Sequence, residues 1–360
     1  MADRQGAMES LVNLTNFYKN KRVFVTGHTG FKGGWLIFWL QKMGAEVCGY
    51  ARAPLPGLSL YRCIRGEELC QSHLGDVADF GRLKEAFDAF RPEIVIHLAA
   101  QAIVREGYRA PRDTYLTNLM GTVNLLECVR LSPAVRSVLN VTTDKVYKNR
   151  EWEWGYRETD ALDGYDPYSN SKSCSELATH SYRNSFLNQR GVAVSTARAG
   201  NVIGGGDFAA DRILPDCLRA AAAGEDIVLR NPYSVRPYQH VLEPLYAYLL
   251  IAATQYGDLS RAGYYNVGPN EDDCYATGKL ADIFVNAWGK GARWVSKEDG
   301  GPHEAGFLKL DCSRIKHAFG WRPRWNLKTA VEKTVEWEKC RLSGGDVRAC
   351  MDRQISEFFS

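Results

Sequence analysis

The 360-residue sequence lacks several features that would assign it to a familiar class. It has no run of 18 apolar residues, which excludes a conventional membrane-spanning helix. Its opening segment, MADRQGAMESLVNLTNF, lacks the apolar stretch and small-residue cleavage pattern of a secretory signal, so we expect a cytoplasmic protein. The ten cysteines include no CxxC pair and have no neighbouring histidine ligands. We therefore predict neither a metal site nor a disulfide framework.

A strong charge of either sign is also missing. The 45 basic and 42 acidic residues give a net charge of +3. This is too little for an electrostatic grip on a nucleic-acid backbone, and no internal repeat or low-complexity segment indicates a solenoid. We expect no nucleic-acid or membrane partner, and any anionic ligand must be held by a few local cations.

What the sequence does contain is an alternation of strand-like and helical segments. Strands are predicted at 21–26, 46–50, 94–98 and 137–141, and helices at 80–90 and 114–130. This order predicts an α/β fold, a Rossmann-type doubly wound parallel sheet, over residues 16–200. Beyond residue 200 the alternation breaks up, which predicts a smaller, mixed substrate-binding lobe over 201–340, with some segments returning to the sheet. Residues 1–15 and 341–360 read as terminal extensions.

A glycine-rich turn follows the first strand and precedes a helix. Gly27, Gly30 and Gly33 lie in VFVTGHTGFKGGW. In this context glycines let the backbone approach a pyrophosphate at the positive end of the helix, whereas a glycine turn without a ligand is the alternative. The sequence therefore predicts a dinucleotide site that includes Thr29 and Phe31 together with Lys32.

The identity of the dinucleotide is left open by the end of the second strand. An acidic residue usually binds the ribose there, but this chain has Gly49, Tyr50, Ala51 and Arg52. Arg52 could face the 2′-phosphate of NADP or be a solvated surface charge. Asp76 could bind the adenine amino group or cap the next helix. Loops after the strands supply the further expected contacts, at Val77, Leu98, Ala99, Ala100 and Thr142.

Tyr168 and Lys172 stand four residues apart in DPYSNSKSCSELATHSY, at the start of a predicted helix. Both side chains then project from one helix face, where an ammonium favours the phenolate and lowers the tyrosine pKa from about 10. An exposed helical pair is the alternative. Thr143, at the tip of an upstream strand, would present its hydroxyl to the same crevice.

Six segments together resemble the extended short-chain dehydrogenase/reductase family across 16–337: TGHTGFKG, HLAAQ, TNLMGTVNLLE, VTTDKVY, YDPYSNSK and RAGNVIGGGD. The resemblance implies a catalytic set of Thr143, Tyr168 and Lys172, with Asn118 as a further structural and proton-relay residue beside the cofactor. It implies a tightly bound, recycled NAD and a homodimer or homotetramer, paired through helices at 114–130 and 168–188.

Asp144 and Lys145 indicate which group of enzymes within this family the chain resembles. Sugar 4,6-dehydratases of this family carry an acid after the tip threonine, whereas epimerases generally lack it. Those acting on CDP-glucose resemble this chain in having Asp-Lys and the insertion NREWEWGYRE, although Ser and Cys are more frequent where Thr143 and Val146 stand. The resemblance thus implies dehydration of CDP-glucose to CDP-4-dehydro-6-deoxy-glucose, in deoxysugar synthesis for surface polysaccharide such as the lipopolysaccharide O-antigen. A surface ion pair is the alternative for Asp144 and Lys145.

Two other functions stay open at this point: action on a dTDP-, GDP- or UDP-linked sugar as dehydratase or 4-epimerase, and NAD binding without turnover. For the nucleotide end, the resemblance implies contacts with the substrate's diphosphate in the smaller lobe. The expected substrate-binding residues are Asn201, Arg212, Arg236, Tyr238 and His240. Arginine suits phosphate because it can form two parallel hydrogen bonds. His240 also reads as a structural histidine.

Overall fold

The strands and helices predicted from the sequence are present in the computed structural model, which describes residues 2–297 and 307–360. The strands are β1 Arg22–Thr26, β2 Glu46–Ala51, β3 Gln71–Leu74, β4 Ile94–His97, β5 Ser137–Thr143, β6 Ala193–Ala199, β7 Val202–Ile203, β8 Ile227–Leu229, β9 Val235–Arg236, β10 Gln239–His240, β11 Tyr264–Val267, β12 Tyr275–Ala276 and β13 Trp294–Ser296. The helices are α1 Ala2–Tyr18, α2 Phe31–Lys42, α3 Leu60–Cys63, α4 Phe80–Phe90, α5 Val104–Arg109, α6 Pro111–Tyr115, α7 Gly121–Leu131, α8 Pro167–Tyr182, α9 Ile213–Ala223, α10 Leu242–Gly257, α11 Thr277–Trp288, α12 Ser313–Phe319, α13 Leu327–Leu342 and α14 Val347–Phe358.

Among the described residues, seven strands form one sheet in the order β11-β6-β5-β4-β1-β2-β3. Every neighbouring pair in this sheet is parallel. Strands β4, β5 and β6 are buried along their whole length, as expected for a sheet covered by helices on both faces. The predicted Rossmann-type fold is confirmed. The order reverses between β1 and β4, and a ligand crevice forms at such a point.

The helix predicted at 114–130 is interrupted. It consists of α6, a π-helical turn at Leu116–Met120 and α7. The π-turn carries Asn118, which is buried. Such a turn adds a residue to the helical repeat and is frequent at functional sites, and hydrophobic spacing alone does not reveal it.

The smaller lobe has its own apolar core. Helices α9, α11 and α13 enclose buried residues that include Leu218, Phe284 and Val331. The short parallel pair β8–β13 covers one side of them. Strand β11 lies at the edge of the large sheet beside β6, so the chain between 201 and 340 contributes to both parts of the molecule. Residues 298–306 of that range lie outside the described residues.

Both segments set apart as terminal extensions contain helices that pack on the core. On α1, Leu14 and Tyr18 are buried, and the Tyr18 hydroxyl donates to the Leu249 carbonyl at 2.8 Å. At the other end, Phe359 makes an edge contact with Trp39 of α2, with ring centroids 5.8 Å apart. Within the described part of the chain, no helix combines the length and apolar character that a bilayer crossing requires.

Candidate active site

The glycine turn between β1 and α2 is shaped by close backbone contacts. Gly27 has φ +77°, and a Cβ there would lie 2.8 Å from the Ala99 nitrogen. A Cβ on Gly33 would lie 2.1 Å from the Gly27 carbonyl oxygen. Ala99 and Leu98 are themselves held by the Thr26 hydroxyl, which accepts from both backbone N–H groups at 3.1 Å. The turn therefore needs glycine for its own packing, before any ligand is considered.

The N-terminus of α2 fits a dinucleotide pyrophosphate. Gly30 precedes the helix and supplies no side-chain cap, so the first N–H groups stay available to an anion. Lys32, in the first turn, lines the adjoining cleft, and its ammonium lies 6.0 Å from the Tyr248 ring centroid. Burial, followed by the charges of Arg212 and Lys172, lowers the pKa of Lys32 to about 7. These residues would hold NAD, with Phe31 and Thr29 beside them.

The end of β2 carries no acid for a ribose hydroxyl. The buried Tyr50 donates from its hydroxyl to the Asp76 carbonyl at 3.2 Å, and the exposed Arg52 accepts from the Thr29 hydroxyl through its own carbonyl. The Asp76 carboxylate accepts from the Ala78 N–H at 2.9 Å and does not cap α4. Asp79 caps that helix instead.

Between the sheet and the smaller lobe lies a cleft of about 1170 Å³. Its wall combines the carboxyl ends of β5 and β6 with a segment of the lobe at 227–234. Predicted site residues brought together in this wall are Phe31, Lys32, Thr142, Thr143, Asp144, Lys145, Tyr168, Asn201, Arg212, Arg236 and Tyr238. The lining does not include Lys172, which lies beneath the surface, or His240.

Tyr168 occupies the first turn of α8. Asp166 caps this helix by accepting from the Tyr168 and Ser169 N–H groups at 2.9 and 3.1 Å, and Pro167 stands at the first helical position. Burial raises the pKa of Tyr168 to about 12, although a hydrogen bond with Thr143 and the charge of Arg212 oppose the rise. In the protein without ligand the pKa of Tyr168 is therefore raised and not lowered as the spacing predicted, because desolvation is the largest cause.

Lys172 lies one turn further along α8 and is 3% exposed. Its Nζ donates to the Val141 carbonyl at 3.0 Å. Burial lowers the pKa of Lys172 to about 8, and the charge of Glu176 opposes this. The lysine is thereby fixed against β5, one helical turn from Tyr168.

Thr143, Asp144 and Lys145 form a short hydrogen-bonded chain at the tip of β5. The Thr143 hydroxyl donates to Asp144 Oδ1 at 2.9 Å, and Lys145 Nζ donates to the same oxygen at 3.4 Å and to Asn201 Oδ1 at 3.2 Å. Asp144 is fully buried, and its Oδ2 has no hydrogen-bond partner among the described residues. Gly200 leaves room for this oxygen, since a Cβ there would lie 3.3 Å from it.

A buried ion pair between Glu176 and Arg198, which the sequence analysis did not predict, anchors α8 to the sheet. Glu176 accepts from Arg198 Nη2 at 2.9 Å and from the Thr196 hydroxyl at 2.8 Å. The side chains of Arg198 and Glu176 are 2% and 0% exposed. Glu176 follows Lys172 by four residues, and this spacing could have predicted that both side chains lie on the same face of α8. Removing either partner would leave an uncompensated charge under the site.

Asn118 holds two other parts of the site together. Its amide oxygen accepts from the Gln101 N–H at 2.8 Å, and its Nδ2 donates to the Gln101 carbonyl and the Ser171 hydroxyl. It thus joins the loop after β4 to α8. Each of these contacts is structural, and together they position the helix that carries Tyr168.

The predicted substrate residues have different surroundings. Arg212 lies 3.7 Å from Asp207, and the buried Arg236 donates to the Val235 carbonyl at 3.1 Å. Tyr238 shares a hydrogen bond with Thr277 at 2.9 Å. His240 is fully buried among aromatic rings, and this burial lowers its pKa to about 3. It is a neutral packing residue, and the structure does not bring it to the cleft.

Together these features define a class. A Rossmann sheet, an uncapped glycine turn and a Tyr168–Lys172 pair under a strand-tip hydroxyl are the arrangement of an extended short-chain dehydrogenase/reductase. Among the described residues no cluster of three or more His, Cys, Asp or Glu side chains is arranged to hold a metal ion.

The chain belongs to the GDP-mannose 4,6-dehydratase family, whose family model matches residues 24–334. It is 48% identical over 351 residues to a CDP-glucose 4,6-dehydratase of Salmonella typhimurium, a match that covers 96% of this chain and 98% of the relative. Among solved structures, the fold is similar to dTDP-glucose 4,6-dehydratase of Bacillus anthracis in complex with NAD, with a TM-score of 0.75, 20% identity and coverage of 91% and 99%. UDP-glucose 4-epimerase of Thermus thermophilus, also in complex with NAD, gives a TM-score of 0.74 at 25% identity, with coverage of 88% and 99%.

Proposed function

We propose that the protein is an NAD-dependent hydro-lyase that converts CDP-glucose to CDP-4-dehydro-6-deoxy-glucose. The observation that carries this proposal is the buried Asp144 beside Thr143 and Tyr168, because an acid at this place serves dehydration and has no role in epimerisation. The 48% identical relative supports CDP-glucose as the substrate. A role in deoxysugar synthesis for surface polysaccharide stays a prediction.

NAD bound along the glycine turn would supply the acceptor, and later the donor, of the substrate hydride. Tyr168 takes the proton from the sugar 4-hydroxyl, and Thr143 hydrogen-bonds the same oxygen. The resulting 4-ketone acidifies the C5 proton, which a water molecule in the cleft accepts and, once hydride has returned to C6, gives back to C5. Asp144, in its protonated form, gives a proton to the departing 6-hydroxyl, and water leaves. The positive charge of bound NAD and of Lys172 would favour the phenolate of Tyr168, whose pKa is about 12 without ligand.

The Lys145 side chain is surrounded by hydrogen-bond acceptors, as suits an ammonium group. It is 28% exposed, and it donates to a carboxylate and to an amide oxygen. We therefore assign Lys145 to stabilising the enolate that forms when C5 loses its proton, because an ammonium cannot accept that proton. Lys145→Met should slow turnover while deuterium still enters C5 from solvent. Loss of the C5 exchange in this variant would instead make Lys145 the base.

The direct test is incubation of the protein with CDP-glucose and NAD, followed by the alkaline ultraviolet absorbance of a 4-keto product. We expect this product without added reductant, and much less of it from UDP-, dTDP- and GDP-linked hexoses. A 4-epimer without the chromophore would identify an epimerase. NAD binding without any sugar product would identify a protein that has lost turnover. Product from another nucleotide sugar at higher kcat/KM would keep the chemistry and change the substrate.

We further propose a homodimer, or a dimer of such dimers, that pairs through the helical segment at 114–130, which includes the π-turn, and through the helical segment at 168–188. Large apolar side chains on these elements are exposed, including Met120 at 43% and Leu177 at 56%. Four helices from two copies would cover them. Light scattering should give the mass of two chains or a multiple of two, and Leu177→Glu should reduce it to one chain. A monomeric mass for the unchanged protein would exclude this arrangement.

A further inference from the structure

Three charged residues that neither the motifs nor the mechanism uses meet at the mouth of the cleft. Arg105 belongs to α5, which follows β4 of the sheet. Arg230 directly follows β8 of the smaller lobe. Asp211 lies between them, in the segment before α9. All three side chains line the cleft.

Arg105 and Arg230 both pair with the same carboxylate oxygen of Asp211. Arg230 Nη1 donates to Asp211 Oδ1 at 2.8 Å, and Arg105 Nε lies 3.9 Å from the same oxygen. The two guanidinium groups thus reach the same point from opposite walls, next to Arg212, which follows Asp211 in the chain. Asp211 adopts φ +61°, a left-handed conformation that Asp and Asn tolerate better than most residues.

We propose that Arg105 and Arg230 are further binding residues for the diphosphate of the nucleotide sugar, and that Asp211 is their counter-anion until the diphosphate takes its place. This inference rests on the proposed function, which puts a nucleoside diphosphate in this cleft. The side chains of Arg105, Asp211 and Arg230 are 22%, 28% and 30% exposed. Solvent therefore screens the ion pairs, and such pairs contribute little to stability.

A diphosphate is the better partner for these arginines. It offers several anionic oxygens to two guanidinium groups, whereas Asp211 offers one oxygen to both. Arginine binds phosphate through parallel, charge-assisted hydrogen bonds, which are stronger than a single contact with a half-exposed carboxylate. The same carboxylate also repels the incoming anion. Asp211 thus holds the arginines in place at the cost of some affinity for the substrate.

The test measures binding of CDP and of cytidine to the full-length protein by calorimetry. Asp211→Asn keeps the backbone conformation and removes the charge, so we expect it to tighten CDP binding about fivefold. Arg230→Gln and Arg105→Gln should each weaken CDP binding by at least about fivefold. Cytidine has no phosphate, and its affinity should stay the same in all three variants.

Two controls make the result specific. Asp226→Asn removes a carboxylate that pairs with Arg293 at 2.6 Å in the same lobe but does not line the cleft, so it should leave CDP binding unchanged. In the double variant Asp211→Asn/Arg230→Gln, most of the gain from the first change should disappear. Weaker or unchanged CDP binding in Asp211→Asn, or equal changes for cytidine, would overturn the inference.

The experiments distinguish a failure of this inference from a failure of the proposed function. If the unchanged protein dehydrates CDP-glucose but the three variants bind CDP as it does, only this inference fails. If it yields no 4-keto product yet CDP affinity shifts as expected, the proposed activity fails and the diphosphate site stands. UDP, GDP and dTDP should respond to the variants in the same direction wherever they bind. Absence of binding by all four nucleotides would overturn both.

Discussion

The cleft has a floor and a rim that are built in opposite ways. The floor, formed by Thr143, Asp144, Tyr168 and Lys172, is buried, and its polar groups are fixed by hydrogen bonds to the protein. At the rim, Arg105, Asp211, Arg212 and Arg230 are partly exposed; Arg105 and Arg230 pair with Asp211, and Arg212 pairs with Asp207. On the floor, burial raises the pKa of Tyr168 and lowers the pKa of Lys172, whereas exchangeable ion pairs set the charge of the rim.

This difference separates chemistry from recognition. Proton transfer is served by groups whose pKa values are moved from their solution values, and burial is the largest cause of such a change for Tyr168 and Lys172. Recognition of an anion needs cations that can change partners quickly, which half-exposed arginines can do. Substitutions on the floor should therefore affect the rate of turnover, and substitutions on the rim should affect binding.

The largest effect should come from Tyr168→Phe. Loss of the phenol removes the base at O4, so kcat should fall about 10²–10⁴-fold while the Kd of CDP stays within about twofold. Steady-state kinetics and calorimetry measure the two quantities. Tyr165→Phe is the matched control, because Tyr165 lines the same cleft but is 84% exposed. If Tyr168→Phe keeps full turnover, the floor is not the catalytic site.

Asp144→Asn should have the next largest effect. It keeps the shape of the side chain and removes the proton donor for the 6-hydroxyl, so formation of the 4-keto-6-deoxy product should fall about 10²-fold or more. Asp88→Asn, on the exposed face of α4 where Asp88 pairs with Lys84, should leave turnover unchanged. An unchanged rate in Asp144→Asn would support the ion-pair interpretation of this residue.

Glu243 tests whether burial alone shifts a carboxyl pKa outside the cleft. Desolvation raises its pKa to about 8, although the N–H groups of Arg324 and Trp325 donate to one carboxylate oxygen. The folded protein therefore holds a proton that the unfolded chain releases near pH 4.5, and this group's contribution to stability is lost as pH rises through about 8. Glu243→Gln should raise Tm, and the gain in Tm should grow as pH rises from 4.5 to about 8. A gain independent of pH would show that the carboxyl is ionised throughout.

The smallest effect should come from Arg52→Ala. Arg52 is exposed at the edge of the dinucleotide site, where solvent screens its charge, so its removal should change little in NAD binding. The affinity for NAD, followed by fluorescence, should change by less than about twofold. A large loss of affinity for NADP, without a loss of affinity for NAD, would show that Arg52 binds a 2′-phosphate.

The sequence could predict groups of residues that stand close together in the chain better than groups that only the fold brings together. Gly27, Gly30 and Gly33 are related by short spacings within one turn, and Tyr168 and Lys172 by one turn of a helix, so local rules predict that each set lies together. Arg105, Asp211 and Arg230 come from three distant segments that only the folded topology brings together. The direction of the Tyr168 pKa was missed for a similar reason, since spacing gives its neighbours and not its degree of burial.

The aromatic contact between Phe359 and Trp39 has a consequence for biosynthesis. Helix α2, which begins at the glycine turn, rests on a residue that the ribosome adds more than 300 positions later. The nascent chain can pair its first strands early, but the face of Trp39 that Phe359 contacts in the folded protein lacks this cover until that residue is added. A ribosome stalled shortly before Phe359 should therefore hold a chain that proteases cleave near α2.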